Sequence, residues 1–154
     1  KNNFLNGVKY ISREAYEFLS KSKVYGGEII VNKIGSAGAV YLMPYLNIPV
    51  SLAMNQFLIR CKTDASNTFY YQYLKTKHGE NEILKRVQGA VTKTITKDAI
   101  RQISVYKPPY EAQLSFERIR DKFTANLLLS VEKMDEQSVK LFNSLSQKAF
   151  SGSL

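Results

Sequence analysis

The sequence contains few of the residues that build disulfide, metal or catalytic sites. Its 154 residues include one cysteine, Cys61, and one histidine, His78. A single cysteine cannot form an internal disulfide, and no cluster of His, Cys, Asp and Glu has the spacing of metal ligands. A Gly-x-x-x-x-Gly-Lys-Ser/Thr phosphate loop is also missing. We therefore expect no ATP use and no catalytic site, and we interpret His78 as a surface residue and Cys61 as a buried, inert thiol.

Long apolar runs are missing too. No run approaches the roughly 18–20 residues that cross a bilayer, and the N-terminus lacks the apolar region of a signal peptide. The 44% hydrophobic and 23% charged residues are ordinary for a globular protein. Together with the single cysteine, these features predict a cytoplasmic location.

Positive charge is concentrated in the front of the chain. Residues 1–107 hold 16 Lys and Arg against 7 Asp and Glu, whereas residues 108–154 hold six of each. Residues 29–63 and 83–97 contain no acid. This pattern favours an anionic partner, with a merely solvated basic surface as the alternative. In a complex with nucleic acid, cationic side chains can bind phosphates, whereas amide and hydroxyl side chains can contact bases. The predicted DNA-binding residues are therefore Lys33, Ser36, Asn55, Arg86, Gln88, Thr92, Lys93 and Thr94.

Local patterns in the front part predict short strands and helices. Strands are expected at five places: residues 8–11, 28–34, 39–42, 57–61 and 103–106. Helices are expected at four places: residues 13–19, 66–76, 80–87 and 97–100. Ser12, Asp64 and Thr96 are the expected N-caps, and Gly79 is expected to end the second helix. Residues 35–38 should form a hairpin turn. We interpret most of the ten tyrosines, all within residues 1–110, as core residues.

Beyond Pro108 and Pro109 the sequence predicts one long helix. Apolar or small residues recur at gaps of 3 or 4 from residue 112 to residue 149, and no Gly or Pro interrupts them. About 39 residues at ~1.5 Å each give about 58 Å, which exceeds what a small domain can cover. Pairing in a coiled coil is therefore favoured over a helix folded back on its own domain. The predicted pairing residues are Phe116, Ile119, Phe123, Leu127, Val131, Met134, Leu141 and Leu145.

The tetrapeptide Lys107-Pro108-Pro109-Tyr110 is similar to the Asn/Asp-Pro-Pro-Tyr motif of DNA amino-methyltransferases. In that motif the first side chain accepts a hydrogen bond from the target amino group. Lysine has three donors and no acceptor. We therefore interpret the tetrapeptide as the boundary between a domain of residues 1–107 and a helix of residues 108–154.

Five short motifs follow one another in a distinctive order. They are Gly-Gly-Glu-Ile-Ile at 26–30, Gly-Ser-Ala-Gly at 35–38, Gln-Gly-Ala-Val-Thr at 88–92, Ile-Ser-Val-Tyr-Lys-Pro-Pro at 103–109 and Leu-Ser-Gln-Lys-Ala-Phe-Ser-Gly at 145–152. In this order they resemble the specificity subunit of type I restriction–modification enzymes, from about residue 7 to the end. The chain departs from the family at two points. The family commonly has Glu-Gln after the prolines, whereas here an Ala separates Glu111 from Gln113. The family also has two recognition domains, whereas this chain has one, which is short at its N-terminus, and the chain could be a fragment, a half-subunit or a natural truncation.

The resemblance implies a mechanism that the residues alone do not give. The recognition domain would bind one half of a split sequence in double-stranded DNA, and the helix would set the distance to a second recognition domain. The helix would also dock methyltransferase subunits and, through them, nuclease subunits. Cofactors would be absent from this chain, because S-adenosylmethionine and ATP would bind the partner subunits.

These observations predict an α+β fold, in which a small mixed α/β DNA target recognition domain precedes one long coiled-coil helix. The predicted function is a non-catalytic, sequence-specific DNA-binding module, dimeric through the helix when isolated. A protein–protein scaffold with a basic face that does not itself bind DNA is the first alternative. A methyltransferase is the second.

Overall fold

The structure is a computed structural model in which residues 7–150 are described, apart from the side chains of residues 136, 139, 142, 143 and 145–150. The chain divides into two compact units, Lys1–Tyr110 and Glu111–Leu154, named here the N-terminal unit and the C-terminal unit. The N-terminal unit combines short antiparallel strands with short helices, and a long helix fills the described part of the C-terminal unit. The predicted α+β class is confirmed.

Two small antiparallel sheets form the centre of the N-terminal unit. The strands are β1 Lys23–Val24, β2 Ile29–Asn32, β3 Val40–Leu42, β4 Val50–Ser51 and β5 Gln56–Ile59. β1 pairs with β4, and the other three form a sheet in the order β3-β2-β5. Val31 of β2 lies opposite Val40 on one side and Phe57 on the other. These pairings confirm the strands expected near 28–34, 39–42 and 57–61, and they place the turn of residues 35–38 between β2 and β3.

Side chains of β2 alternate between two apolar clusters. Ile29 and Val31 point into the larger cluster, which also contains Tyr70, Leu74, Ile83 and Ile95. Ile30 points into the smaller cluster, with Val24 and Met43. Ile29, Ile30 and Val31 are at most 2% exposed. A central strand that is covered on both faces has no polar face, and this explains its continuous run of β-branched residues.

Hydroxyl N-caps start the four short α-helices of the N-terminal unit, whereas a 3-10 turn at Ser20–Ser22 has no side-chain cap. These helices are α1 Arg13–Phe18, α2 Asn67–Leu74, α3 Lys77–Leu84 and α4 Lys97–Arg101. Their caps are Ser12, Ser66, Thr76 and Thr96, each accepting a hydrogen bond from the amide three residues ahead. The predicted caps Ser12 and Thr96 are confirmed.

The predicted N-cap Asp64 is wrong. The Ser66 hydroxyl caps α2 by accepting from the Phe69 amide at 2.9 Å. The Asp64 carboxylate instead forms an ion pair with the Lys107 ammonium. That pair raises the pKa of Lys107 and lowers the pKa of Asp64. Ser and Asp are almost equally good N-caps, so the sequence could not decide between two candidates two residues apart.

The predicted helix end at Gly79 is also wrong, because Gly79 lies inside α3. Its amide donates to the Thr76 hydroxyl at 3.2 Å. A Cβ at this position would lie 2.4 Å from the Tyr73 carbonyl oxygen and 2.6 Å from the Leu74 Cα. Glycine therefore allows α2 and α3 to approach closely rather than ending a helix.

Two predicted strands and the interpretation of the tyrosines need correction. Residues 8–11 and 103–106 are irregular, although their sequences alternate, because neither segment pairs with a strand of the described chain. Half of the ten tyrosines are exposed rather than core: Tyr10, Tyr25, Tyr45, Tyr106 and Tyr110. β-propensity measures fit to a half-buried surface and cannot by itself supply a partner strand.

The buried carboxylate of Glu28 organises the turn before β2. Glu28 is 4% exposed, and it accepts hydrogen bonds from the amides of Tyr25 at 2.9 Å and Gly26 at 2.7 Å. The Arg60 guanidinium donates to the same carboxylate at 3.1 Å and also to the Lys23 carbonyl. Burial raises the pKa of Glu28, but these hydrogen bonds together outweigh it, so the pKa lies below its usual value.

The long helix is α5, Tyr110–Phe150, with 41 residues. At ~1.5 Å per residue it is about 60 Å long, and its continuity confirms the expected single helix over the described residues. Seven of the predicted pairing residues are 40–69% exposed: Phe116, Ile119, Phe123, Leu127, Val131, Met134 and Leu141. The eighth, Leu145, lies outside the described side chains. Within residues 7–150, no helix is both long enough and apolar enough to cross a membrane.

Candidate nucleic-acid interface

Backbone hydrogen bonds bring together three segments that are distant in sequence. The amide of Lys33 donates to the Asn55 carbonyl at 2.8 Å, and its carbonyl accepts from the Ile95 amide at 3.0 Å. The Gly35 amide donates to the Lys93 carbonyl at 3.1 Å. Residues 33–36, residue 55 and residues 88–94 therefore form one continuous surface, named here the basic loop face.

The loop of residues 88–94 is closed at its base. The amides and carbonyls of Gln88 and Thr94 exchange two hydrogen bonds of 2.8 Å each, so these residues form a bridge like the base of a hairpin. Gly89 has a φ of 102°, and a Cβ there would lie 2.1 Å from the Thr92 carbonyl oxygen. The loop is therefore fixed by its backbone, and it holds the exposed side chains of Thr92 and Lys93 in a defined place.

A row of polar side chains crosses the end of the three-stranded sheet. The Gln56 amide nitrogen donates to Asn32 Oδ1 at 3.4 Å, and Asn32 Nδ2 donates to the Ser36 hydroxyl at 2.7 Å. Asn32 and Gln56 are partners in the β2–β5 register. The row orients Ser36, which is exposed in the turn between β2 and β3. These contacts hold the turn next to Asn55.

Charge on the basic loop face is positive and uncompensated. None of its residues is acidic. Within the described chain, neither Lys33 nor Lys93 has a carboxylate within ion-pair distance, and the Lys33 ammonium lies 5.9 Å from the centre of the Phe57 ring. Elsewhere in the N-terminal unit, six of the seven acids are in ion pairs: Glu17, Glu28, Asp64, Glu80, Glu82 and Asp98. The excess positive charge is thus available to bind an anion.

A family model described as the type I restriction modification DNA specificity domain matches residues 1–137. The chain belongs to this family. It is therefore a non-catalytic module that recognises target DNA, and it associates with other subunits of a restriction–modification complex. A search of curated proteins finds no match.

In this DNA specificity domain, the predicted DNA-binding residues divide into two groups. Seven of the eight lie on the basic loop face: Lys33, Ser36, Asn55, Gln88, Thr92, Lys93 and Thr94. The guanidinium of Arg86 is instead held by Glu82 at 2.9 Å and by the Gln102 carbonyl at 2.8 Å. Its charge is already compensated within the protein, which distinguishes Arg86 from Lys33 and Lys93.

Sequence reasoning missed Asn32, Gln56 and Gly89. Asn32 and Gln56 could have been noticed as polar residues at the ends of two apolar strands, where side chains leave the core. Gly89 follows Gln88 in an acid-free stretch, and a glycine there is a signal for a tight turn with positive φ. The contact between Gly35 and Lys93 had no signal, because it joins residues 58 positions apart in sequence.

Residues with potential for other chemistry lie apart from the basic loop face. His78 is exposed on α3, and its ring centre lies 6.0 Å from that of Tyr73. Cys61 is half-buried beside the larger apolar cluster, and burial raises the pKa of its thiol. Among the described residues, no group of three or more His, Cys, Asp and Glu side chains could hold a metal ion.

Proposed function

We propose that the basic loop face binds one half of a split target in double-stranded DNA. The observation that supports this proposal best is the set of backbone hydrogen bonds that joins residues 33–36, 55 and 88–94 into one acid-free surface. Lys33 and Lys93 would neutralise phosphates and fix the position of the domain on the duplex. Asn55, Gln88 and Thr92 carry the amide and hydroxyl groups that can contact base edges.

The salt dependence of DNA binding tests this assignment. Each lost phosphate contact reduces the slope of log K against log salt by about one unit. We therefore expect Lys33→Gln and Lys93→Gln each to reduce the slope by about one, and the double variant by about two. Lys21→Gln is a control with the same charge change in the turn before β1, and we expect it to leave the slope unchanged. Circular dichroism would check folding. Equal slopes for all the variants would place the DNA elsewhere.

For the long helix, we propose pairing with a second helix and docking of methyltransferase subunits. The exposed stripe from Phe116 to Leu141 and the equal numbers of acidic and basic residues in 108–154 support this proposal. A helix of about 60 Å with an apolar stripe gains most of its stability from a packing partner. In the isolated protein that partner would be a second copy, in antiparallel orientation. Such a dimer would carry two recognition domains for the two halves of the target.

A charge placed in the stripe should weaken the dimer. Phe123→Asp and Leu127→Asp each put a carboxylate where we expect an apolar seam. Ala125→Asp adds the same charge on the opposite side of the helix and serves as the control. Sedimentation equilibrium at micromolar to high micromolar concentration should show a dimer for the native chain and the control, and a monomer for the two stripe variants. A native chain that is monomeric throughout this range would rule out the dimer.

We also propose that S-adenosylmethionine and ATP bind only the partner subunits. Lys107 occupies the position where the methyltransferase motif needs an acceptor, and its ammonium is paired with Asp64. Isothermal titration of the purified chain with S-adenosylmethionine should therefore give no heat of binding. Micromolar binding, or methyl transfer to DNA by the chain alone, would make the methyltransferase alternative the better one.

A further inference from the structure

The turn between β2 and β3 has a fixed backbone and two amides that no protein group uses. The Gly38 amide donates to the Asn32 carbonyl at 2.8 Å, and the Ala39 amide donates to the Ser36 carbonyl at 3.1 Å. Within the described chain, the amides of Ser36 and Ala37 make no hydrogen bond. Two backbone donors are therefore held in a turn that is exposed at Ser36.

The polar row of Gln56, Asn32 and Ser36 has a direction. Gln56 Nε2 donates to Asn32 Oδ1, and Asn32 Nδ2 donates to the Ser36 hydroxyl oxygen at 2.7 Å. A serine hydroxyl can accept and donate at the same time. Ser36 accepts from Asn32, and among the described residues no group accepts its hydrogen. The row therefore ends in an unused donor at the exposed turn.

The charges around the turn suit an anion. Ser36 lines a cleft together with Lys75 and Glu80, and these two form an ion pair of 3.3 Å, so the cleft contributes no net negative charge. The turn is also joined to the loop that carries Lys93 by the bond from the Gly35 amide. A serine hydroxyl, backbone amides and lysines are the groups with which proteins bind DNA phosphates.

We propose that the turn of residues 35–38 is a subsite for one phosphate of the DNA backbone. The Ser36 hydroxyl and the amides of Ser36 and Ala37 donate to its oxygens, and Asn32 is a positioning residue that acts through the Ser36 hydroxyl. This inference rests on the proposed DNA-binding role of the basic loop face. Every step of a duplex has a phosphate, so the contact fixes the position of the domain without distinguishing sequences. Such a role fits a turn that is one of the motifs behind the family resemblance.

Affinity and sequence preference, measured together on the full chain, test the subsite. Ser36→Ala removes the hydroxyl donor, and we expect its affinity for duplex DNA to fall about tenfold, the lower end of what a hydrogen bond to a charged group contributes. The motif recovered from a random duplex library should stay unchanged, and so should the salt slope, because no cation is lost. Ser36→Thr keeps the hydroxyl and should retain most of the affinity. Ser104→Ala, at an exposed serine outside the basic loop face, is the control and should bind like the native chain.

Two further measurements address Asn32 and the amides. Asn32→Ala should weaken binding, and the double variant with Ser36→Ala should bind no more weakly than Ser36→Ala alone, because Asn32 acts through that hydroxyl. Independent losses that add would contradict the positioning role. The amides of Ser36 and Ala37 should exchange with solvent quickly in the free chain and more slowly in the complex with DNA.

The proposal is overturned if Ser36→Ala binds DNA like the native chain, or if it changes the preferred base at one position of the motif, which would make Ser36 a base contact. Ser36 is exposed, so we expect this variant to fold, and circular dichroism would check it. Should either result occur while Lys33→Gln and Lys93→Gln still reduce the salt slope, the phosphate subsite fails and the proposed DNA-binding face stands. If the lysine variants have no effect either, both fail together.

Discussion

Replacing Glu28 by Gln tests how the N-terminal unit is held together. The substitution keeps the shape of the side chain and removes its charge. The amide oxygen of Gln can take the place of Oε1, which accepts hydrogen bonds from the Tyr25 amide and the Arg60 guanidinium. Oε2, which accepts from the Gly26 amide at 2.7 Å, becomes an NH₂ group that faces another donor. One buried backbone donor therefore loses its acceptor.

The expected cost follows from those contacts. A buried donor without an acceptor costs about 1–3 kcal/mol, and a hydrogen bond to a charged group contributes about 1.5–3 kcal/mol against about 1 for a neutral one. The Arg60 side chain is 45% exposed, so solvent screens its share of the interaction, and we assign that share only a few tenths. We expect Glu28→Gln to lower the free energy of unfolding by about 2–3 kcal/mol near neutral pH.

The cost should depend on pH in a defined direction. The pKa of Glu28 is lowered in the folded protein, so its contribution to stability is present above the unfolded value of about 4.3. The contribution is lost as the pH falls through the folded pKa. Glutamine does not titrate, and the difference between the native chain and Glu28→Gln should therefore shrink below about pH 4.

Urea unfolding followed by circular dichroism at several pH values measures both effects. Glu80→Gln is the control, because Glu80 is exposed and its pair with Lys75 at 3.3 Å lies on the surface; we expect a loss of less than about 1 kcal/mol. A Glu28→Gln protein as stable as the native chain at neutral pH would refute the reasoning. So would a difference that stays constant from neutral to acidic pH.

Three further predictions concern the loop, a helix cap and the cysteine. Gly89→Ala should strain the loop by about 1–3 kcal/mol and weaken DNA binding in a titration. Gly35→Ala shares the strain of a positive φ, but a Cβ there meets no atom within 4 Å, so it should have the smaller effect. Ser66→Ala should cost about 1 kcal/mol in urea unfolding, because the Phe69 amide loses its cap. Cys61 should react with a thiol reagent more slowly in the folded chain than in urea at the same pH, since burial raises its pKa; equal rates would contradict this.

Much of the fold could be predicted because its signals are local. β2 is a continuous β-branched run, Ser12 and Thr96 are hydroxyl caps, and the spacing within α5 is unbroken over its length. The errors concern features that depend on distant parts of the chain. Residues 103–106 alternate like a strand but have no partner strand, and Gly79 resembles a helix stop although it serves the packing of α2 against α3.

The candidate site was predictable in composition and not in arrangement. Acid-free stretches pointed to Lys33 and Lys93 separately, since charge patterns are visible along a sequence. The segments that carry these two lysines are brought together by the hydrogen bond between Gly35 and Lys93 and by the bond between Ile95 and Lys33. Both are contacts between backbone atoms, and no side-chain pattern encodes them. The ion pair of Arg86 with Glu82 was visible in the sequence as an i, i+4 pair of opposite charges, whereas the bond from Arg86 to the Gln102 carbonyl, 16 positions away, had no such signal.

The backbone closure of residues 88–94 has a consequence for how such a protein can change over generations. The bonds between Gln88 and Thr94, and those that tie Lys33 and Gly35 to the loop, use main-chain atoms alone. Apart from the glycine at 89, the residues inside the loop can therefore be exchanged without removing an anchoring contact. Substitutions at positions 90–93 can therefore change the chemistry of this exposed surface while the sheet and the helices stay unchanged.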